Sequence, residues 1–509
     1  MRNATTILIS EVWAVSDMTL IFSGNNYKYQ LEAVMKLFIP AERFELVYTD
    51  RTAFVQGDHA FLRRASFGAV TTVYAVCSYK GRTAHCSANI RSDISDLDDE
   101  CQITLCRVLY LTMSKLTGIT FGWGMLTGVR PVKRVNKLIS AGASRDEVFS
   151  VMSKQYFVSK EKTEIAYLTA NTQEKIVRTL DDSSFSLYVS IPFCPTRCSY
   201  CSFISQTIGS GKKLIPDYIS NLCKEIRYTA KLAEELGLRL DTIYFGGGTP
   251  TSVEASQLER IMQTVAESFD MSSVREYTVE AGRADTITRE KLEVIKRNGA
   301  TRLSVNPQTL NDSVLEAIGR KHTVKQFFDA YDLAKQVGFD LINTDIIAGL
   351  PTDTTESFCS TIDRLIDLSP ENITVHTLSI KRAADLNHSD NKGTVLKNPA
   401  SLMVDYATRR LLDTGYLPYY LYRQKNMLEN LENIGWCRQG SESLYNIFIM
   451  EEIQTILAVG AGASSKLVDL KGGRLERIFN YKHPIEYNKH FELMLDKKKE
   501  IVDFYAEKK

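Results

Sequence analysis

Beyond residue 185 the chain alternates between two arrangements of apolar positions. Short, nearly continuous apolar runs predict buried strands at 186–191, 241–245, 276–280, 301–305, 341–348 and 372–378. Between them, apolar positions at helical spacing predict helices over about 213–237, 255–269, 288–298, 324–338 and 354–367. Strands that are apolar on both faces, each followed by a helix, point to a parallel sheet with helices outside it. Six units are fewer than the eight that close a barrel, so the expected fold class is α/β, a partial and open (β/α)6 barrel.

Before residue 180 the pattern differs. Thr6-Ile-Leu-Ile-Ser10 and Thr19–Ser23 read as strands and 28–38 as a helix. The runs 71–78 and 82–90 flank Tyr79-Lys80-Gly81, a hairpin signal. Helices fit 99–117, 145–155 and 160–180, and the basic turn Thr127-Gly-Val-Arg-Pro-Val-Lys133 reads as a solvated loop. His85 and Cys86 are neighbours on a strand, so they point to opposite faces and do not make a ligand pair. The expected domains are an N-terminal α+β domain over 1–180, the partial barrel over 185–380 and a mostly helical C-terminal region over 381–509. Asp181-Asp-Ser-Ser184 forms the polar link between the first two.

The 509 residues are enough for two or three domains and a large core. A net charge of +1 gives no global field that would draw the chain to nucleic acid. Glu11 and Asp17 interrupt the apolar N-terminal stretch, and no apolar run reaches the roughly 18 residues of a membrane span. Ten cysteines spread along the chain are too dilute for a disulfide framework, so a cytoplasmic, reducing location is expected.

Three of these cysteines stand close together, in Cys194-Pro-Thr-Arg-Cys198-Ser-Tyr-Cys201, directly after the first barrel strand. Three thiolates can hold three irons of a cubane cluster and leave the fourth iron open to a small ligand. Zinc would need a fourth ligand or a water, and a disulfide would leave an odd cysteine. Gly246-Gly247-Gly248-Thr249-Pro250 follows the second strand, where the absence of Cβ atoms lets backbone approach a ligand; a plain strand-to-helix turn is the alternative. Without a following Lys-Ser/Thr pair this stretch is not a P-loop. Glu280 ends the third strand and can take an ammonium or hydroxyl group. Gln308 follows the fourth, and Arg320 can clamp a carboxylate bidentately. Asp345 interrupts the fifth, as a ligand group or as half of a structural ion pair, and His376 closes the sixth. Apart from Arg320, these fall at or near the C-terminal ends of strands, the rim where α/β barrels carry chemistry.

Together these residues resemble the radical S-adenosylmethionine superfamily: the cysteine motif with Tyr200 before its last cysteine, and Phe245-Gly-Gly-Gly-Thr-Pro-Thr251 as the methionine-binding stretch. More narrowly, the chain is similar to the oxygen-independent coproporphyrinogen III oxidase family. Tyr188 before Ile191-Pro-Phe-Cys194, Val305-Asn-Pro-Gln308 and Asn343-Thr-Asp345-Ile-Ile-Ala-Gly-Leu-Pro351 carry that likeness, and Gly282-Arg-Ala-Asp-Thr286 looks most like its HemZ branch of coproporphyrinogen dehydrogenases. The resemblance implies a [4Fe-4S] cluster on Cys194, Cys198 and Cys201 and S-adenosyl-L-methionine on its open iron. A 5′-deoxyadenosyl radical would then oxidatively decarboxylate coproporphyrinogen III to protoporphyrinogen IX. It further implies that Tyr188, Tyr200, Gly247 and Glu280 contact the cluster-bound S-adenosylmethionine. Gly248, Thr249, Gln308, Arg320 and Asp345 would hold a second one, with the C-terminal region covering the substrate site.

The implied partners are a tetrapyrrole substrate and a flavodoxin- or ferredoxin-like electron donor, without nucleic acid or membrane, for a monomer. Ser190 departs from the family, whose best-known members have His there, and the region 419–437 diverges. Arg382, Arg423 and Lys425 are available for substrate carboxylates, or are ordinary surface charges. A haem chaperone of the same superfamily is the alternative function, but its relatives carry His-Asn where this chain has Glu432-Asn433. A radical methyltransferase or ring-opening enzyme acting on a tetrapyrrole is a third.

Overall fold

A computed structural model describes residues 18–40, 44–49, 57–203, 205–379, 399–424 and 427–507. The strand expected at 6–10, and Arg382 and Lys425, lie outside the described residues. The chain divides into two compact units, one formed by residues up to 128 together with 143–163, the other by 129–142 together with 164–509.

In the first unit, strands β1 (Thr19–Ser23), β2 (Glu45–Tyr48), β3 (His59–Phe67), β4 (Val70–Tyr79) and β5 (Arg82–Arg91) form a sheet of order β2-β1-β3-β4-β5. The first three are parallel to one another and the last three antiparallel. The hairpin joining β4 to β5 turns through Lys80 (φ 50°) and Gly81 (φ 74°). Positive φ at both central residues is what a two-residue turn needs to match the twist of its strands. Helix Leu97–Thr117 packs across β4 and β5 and against helix Lys28–Phe38. Helix Arg145–Tyr156 opens with a reciprocal capping box between Ser144 and Glu147.

The second unit contains β6 (Ser184–Ile191), β7 (Phe193–Cys194), β8 (Gln206–Thr207), β9 (Arg239–Gly247), β10 (Glu276–Glu280), β11 (Arg302–Ser304), β12 (Leu341–Ala348) and β13 (Asn372–Thr377). The six expected strands β6, β9, β10, β11, β12 and β13 lie side by side in that order, all parallel, so their C-terminal ends share one rim. Helices Ile215–Glu235, Ala255–Ser268, Arg289–Arg297, Val324–Val337 and Thr355–Leu368 connect them as the periodicity predicts.

The C-terminal region carries helices, among them Ala400–Asp413, Leu444–Glu451 and Lys499–Ala506, and it also lengthens the sheet at both ends. Strands β14 (Leu417–Tyr422) and β15 (Asn433–Cys437) add antiparallel beyond β13. Strand β16 (Thr455–Val459) lies parallel to β6 on its other side, and β17 (Ser464–Asp469) and β18 (Arg474–Phe479) follow as an antiparallel hairpin. The result is an open sheet of eleven strands.

Buried polar groups fasten these additions. Glu225, fully buried on the helix after β8, pairs with Lys498 Nζ at 3.0 Å and accepts from the Gly460 N–H, Asn480 Nδ2 and the Tyr487 hydroxyl. At the opposite rim Glu276 accepts from the N–H groups of Leu444 and Tyr445, at the start of helix Leu444–Glu451, where a negative charge is favourable. The basic turn at 127–133 is only partly the solvated loop expected: 127–129 and Lys133 are exposed, while 130–132 are not. Arg130 is half-buried and pairs with Glu452 at 2.6 Å, and Val132 is fully buried at the start of helix Val132–Ser140. The charge that made the turn look solvated has a half-buried carboxylate to meet. Among the described residues, no helix is long and apolar enough to cross a membrane.

Candidate functional site

Strand β6 ends at Ile191 and Pro192 turns the chain into the cysteine loop. Phe193–Cys194 pairs with Gln206–Thr207 and closes the base of that loop. The loop folds on itself through the Cys201 N–H to the Cys198 carbonyl at 3.0 Å, and is tied to the end of helix Asp312–Ala317 by the Ser199 N–H to the Ile318 carbonyl at 3.1 Å. Cys198 is buried, and Cys194 and Cys201 are half-buried. Burial raises the Cys194 thiol and pushes Cys201 up to about 11; the charge of Cys198 adds to both, and that of Cys194 also adds to Cys201. The three thiols are thus near enough for their charges to act on one another. Among the described residues they do not form a group close enough to share one metal ion. Thiolates on a single zinc would stand about 4 Å apart, as twice a Zn–S bond in tetrahedral geometry requires. A cubane takes one thiolate on each of three separate irons and holds them farther apart than a single ion does; three free cysteines on one short loop are the donor set such a cluster takes.

The glycine-rich stretch runs beside the loop. The N–H groups of Gly248 and Thr249 donate to the carbonyls of Ile191 and Phe193 at 2.9 and 2.8 Å, so these two donors are spent within the protein. A Cβ on Gly248 would lie 2.6 Å from the Phe193 carbonyl oxygen and 3.0 Å from Cys194 Sγ. Gly247 has φ 108°, and a Cβ there would lie 2.8 Å from Ser190 Oγ. These glycines therefore let two stretches of the chain's own backbone lie in contact. Thr249, itself buried, brings its hydroxyl to 3.6 Å from Cys194 Sγ. Ser190, where related proteins were expected to have His, is held small by the same crowding. Its hydroxyl donates to the Ala461 carbonyl, and the turn at Gly460 presses on its backbone from β16.

Arg320 is also engaged. It donates to the Tyr200 hydroxyl at 3.0 Å and to the carbonyls of Gly282 at 2.5 Å and Asn306 at 2.8 Å. The bidentate clamp expected of it is used on the protein, joining the cysteine loop to the ends of β10 and β11, and only its Nε lacks a partner. Gln308 is buried with φ 67°, and its backbone N–H and carbonyl bridge to Asp345 and Ile347 of β12.

On one face of the sheet, partly accessible polar side chains interrupt otherwise buried strands. Tyr188, Tyr244 and Tyr445 stack, with Tyr244 and Tyr445 ring centroids 4.4 Å apart. The Tyr244 hydroxyl donates to Glu280 at 2.5 Å. Burial pushes Glu280 up to about 7, the Asp345 charge adds to this, and the Tyr244 bond opposes it. Asp345 accepts from Asn343 at 2.7 Å and lies 3.9 Å from His376 Nε2. Its burial favours the neutral form, but the contacts with His376, Asn343 and Thr374 together outweigh it and hold the carboxyl below its ordinary value. Asn306 links the two groups: its carbonyl accepts from Arg320 and its side chain from the Asp345 N–H. Arg423 is buried, donates to the Asn430 carbonyl and feels the charge of Glu432, so it is not a surface cation.

Tyr244, Tyr445 and Arg283 were missed by sequence reasoning. Arg283 is buried in the turn after β10, grips Asp285 and reaches into the cysteine loop. Its signal was present as an Arg-x-Asp pair three residues after Glu280. The tyrosines belong to apolar runs, where nothing local marks them.

The radical SAM superfamily profile matches residues 188–365. The HemZ oxygen-independent coproporphyrinogen-III oxidase-like protein of Bacillus subtilis is 40% identical over 396 residues, covering 77% of this chain and 79% of its own. The haem chaperone HemW of Lactococcus lactis is 30% identical, covering 62% of this chain and 79% of its own. The solved coproporphyrinogen III oxidase HemN of Escherichia coli aligns with a TM-score of 0.49 and 23% identity, over 64% of this chain and 73% of its own. The chain belongs to the radical SAM superfamily, whose cofactors are a [4Fe-4S] cluster and S-adenosyl-L-methionine, and within it to the family of oxygen-independent coproporphyrinogen-III oxidase-like proteins.

Proposed function

We propose that the chain converts coproporphyrinogen III to protoporphyrinogen IX by oxidative decarboxylation of two propionate side chains, without oxygen. Cys194, Cys198 and Cys201 would hold the cluster, which with S-adenosylmethionine would supply a carbon radical able to take a hydrogen atom from a propionate β-carbon; the electron released as CO2 leaves would pass to an external one-electron acceptor. Tyr188, Tyr200, Gly247 and Glu280 line the place of the cluster-bound S-adenosylmethionine. Glu280, a carboxyl poised near neutrality beside the Tyr244 hydroxyl, is suited to an ammonium group. Gly248, Thr249, Gln308, Arg320 and Asp345 belong to the second such site. Gly248, Thr249 and Arg320 serve it by fixing the cysteine loop, and Asp345 by its half-buried carboxylate. The stacked tyrosines exclude water from the reacting centre. An external low-potential donor, flavodoxin- or ferredoxin-like, supplies the electron, and ten unpaired cysteines suit a reducing compartment.

The observation that carries this reading over haem carriage is position 432. Where the chaperones were expected to carry His, this chain has a glutamate that is 1% exposed, next to the Arg423 charge. A buried carboxylate close to a guanidinium charge is a poor axial ligand for haem. Haem carriage remains the second reading because of the identity to HemW. The deciding experiment supplies anaerobically reconstituted protein with coproporphyrinogen III, S-adenosylmethionine and a strong reductant, beside Cys198→Ala. Expected are CO2, 5′-deoxyadenosine and protoporphyrinogen IX from the native chain alone. Tight one-to-one haem binding by both proteins, with no decarboxylation by either, would establish the carrier instead.

A further inference from the structure

Arg283 is 3% exposed and its guanidinium is divided between two tasks. Nε and Nη2 hold the Asp285 carboxylate at 2.9 and 2.7 Å. Nη1 turns the other way, to Thr196 Oγ1 at 3.1 Å and Cys198 Sγ at 3.6 Å. A purely structural ion pair needs only the first of these. The second places one donor of a fixed cation against a threonine hydroxyl and a sulfur of the cysteine loop. Arg320 does not duplicate it, since its donors end on the Tyr200 hydroxyl and on carbonyls.

We propose that Arg283 is a positioning residue that raises the reduction potential of the cluster held by Cys194, Cys198 and Cys201. The proposal rests on the radical SAM reading of this loop. Three thiolates and a [4Fe-4S]2+ core carry one net negative charge; one electron from an external reductant makes it two. A nearby cation stabilises the second state more than the first, and a hydrogen bond to a ligand sulfur acts in the same direction. Burial removes most solvent screening, so the guanidinium acts close to its full charge. Asp285 offsets part of that charge from the far side, which makes the two residues opposed controls of one quantity.

The test is the midpoint potential of the anaerobically reconstituted full-length chain without S-adenosylmethionine, followed by electron paramagnetic resonance during reductive titration. Iron content and circular dichroism accompany it. Arg283→Gln is expected to keep its iron and shift the potential to more negative values, and Arg283→Lys to shift it less. Asp285→Asn, which leaves the cation and removes its counter-charge, is expected to shift it the opposite way. A merely structural role would not produce opposite signs. An unchanged potential in Arg283→Gln at full iron content overturns the proposal, as does a shift of the same sign in Asp285→Asn. If neither Arg283 variant holds iron, Asp285→Asn decides by itself: a positive shift supports the proposal, and any other result overturns it. Failure of all three to load iron also overturns it, because Arg283 and Asp285 would then build the site and not tune it. A native chain that binds no iron sinks the radical SAM reading, and so fails differently.

Discussion

Glu280 is the side chain on which pH acts most directly. Its carboxyl moves from 4.5 to about 7 on folding, through burial first and the Asp345 charge second. Folding therefore favours the protonated form. That advantage is complete below 4.5 and is lost as pH rises through about 7. Glu280→Gln, which never ionises, should gain melting temperature relative to the native chain across this window in protein without cofactors, then hold a constant difference above it. A difference that is flat with pH would mean the carboxyl is not displaced. Gly248 makes a second prediction. A Cβ there meets the Phe193 carbonyl and Cys194 Sγ, so Gly248→Ala should lower reconstituted iron several-fold while circular dichroism stays native. Full iron content would return Gly248 to a purely ligand-facing role. Cys194, Glu280 and Asp345 were legible in the sequence because their chemistry demands those residue types beside apolar runs. Arg283 and Tyr244 were not, because their meaning lies in contacts with residues 36 or more positions away in sequence (Tyr244 with Glu280) or 85 (Arg283 with Cys198).

Each β/α unit was legible because a strand and a helix differ in period and both are long enough to show it. Strands β14 to β18 were not. They are short, several are antiparallel, and Gly435, Gly460, Gly472 and Gly473 interrupt their surroundings. What holds β16 against β6 is also non-local: the Glu225 carboxylate and Lys498 ammonium, 0% and 1% exposed. Removing one partner of a buried pair strands the other charge, so Lys498→Met should cost about 3–5 kcal/mol in urea unfolding. Adding Glu225→Gln to that variant should recover part of the loss. A Lys498→Met chain as stable as the native one would show that the pair contributes nothing to holding the C-terminal strands.

At the scale of the whole molecule, the second unit draws on residues upstream of its first strand. Gln173 donates to the Tyr419 carbonyl and to the buried Glu451, Ile176 and Leu180 pack against the Tyr419, Tyr420 and Phe448 cluster, and Arg130 pairs with Glu452. A chain beginning at Asp181 keeps all eleven strands but loses these contacts. It should melt well below the full-length protein or without cooperativity, as followed by circular dichroism. An unchanged melt would make residues 129–180 dispensable to this unit. The position of β16 has one more consequence, for biosynthesis. The strand that feeds the cysteine loop is flanked on one side by β9 and on the other by a strand made more than half a chain length later. While the ribosome is still translating residues 192–454, β6 has one bare edge and Ser190 lacks the Gly460 turn that packs on it. A nascent chain stalled before residue 455 should accordingly be a poor acceptor for iron–sulfur delivery, and one stalled beyond the β17–β18 hairpin a better one, as iron incorporation into the two would show.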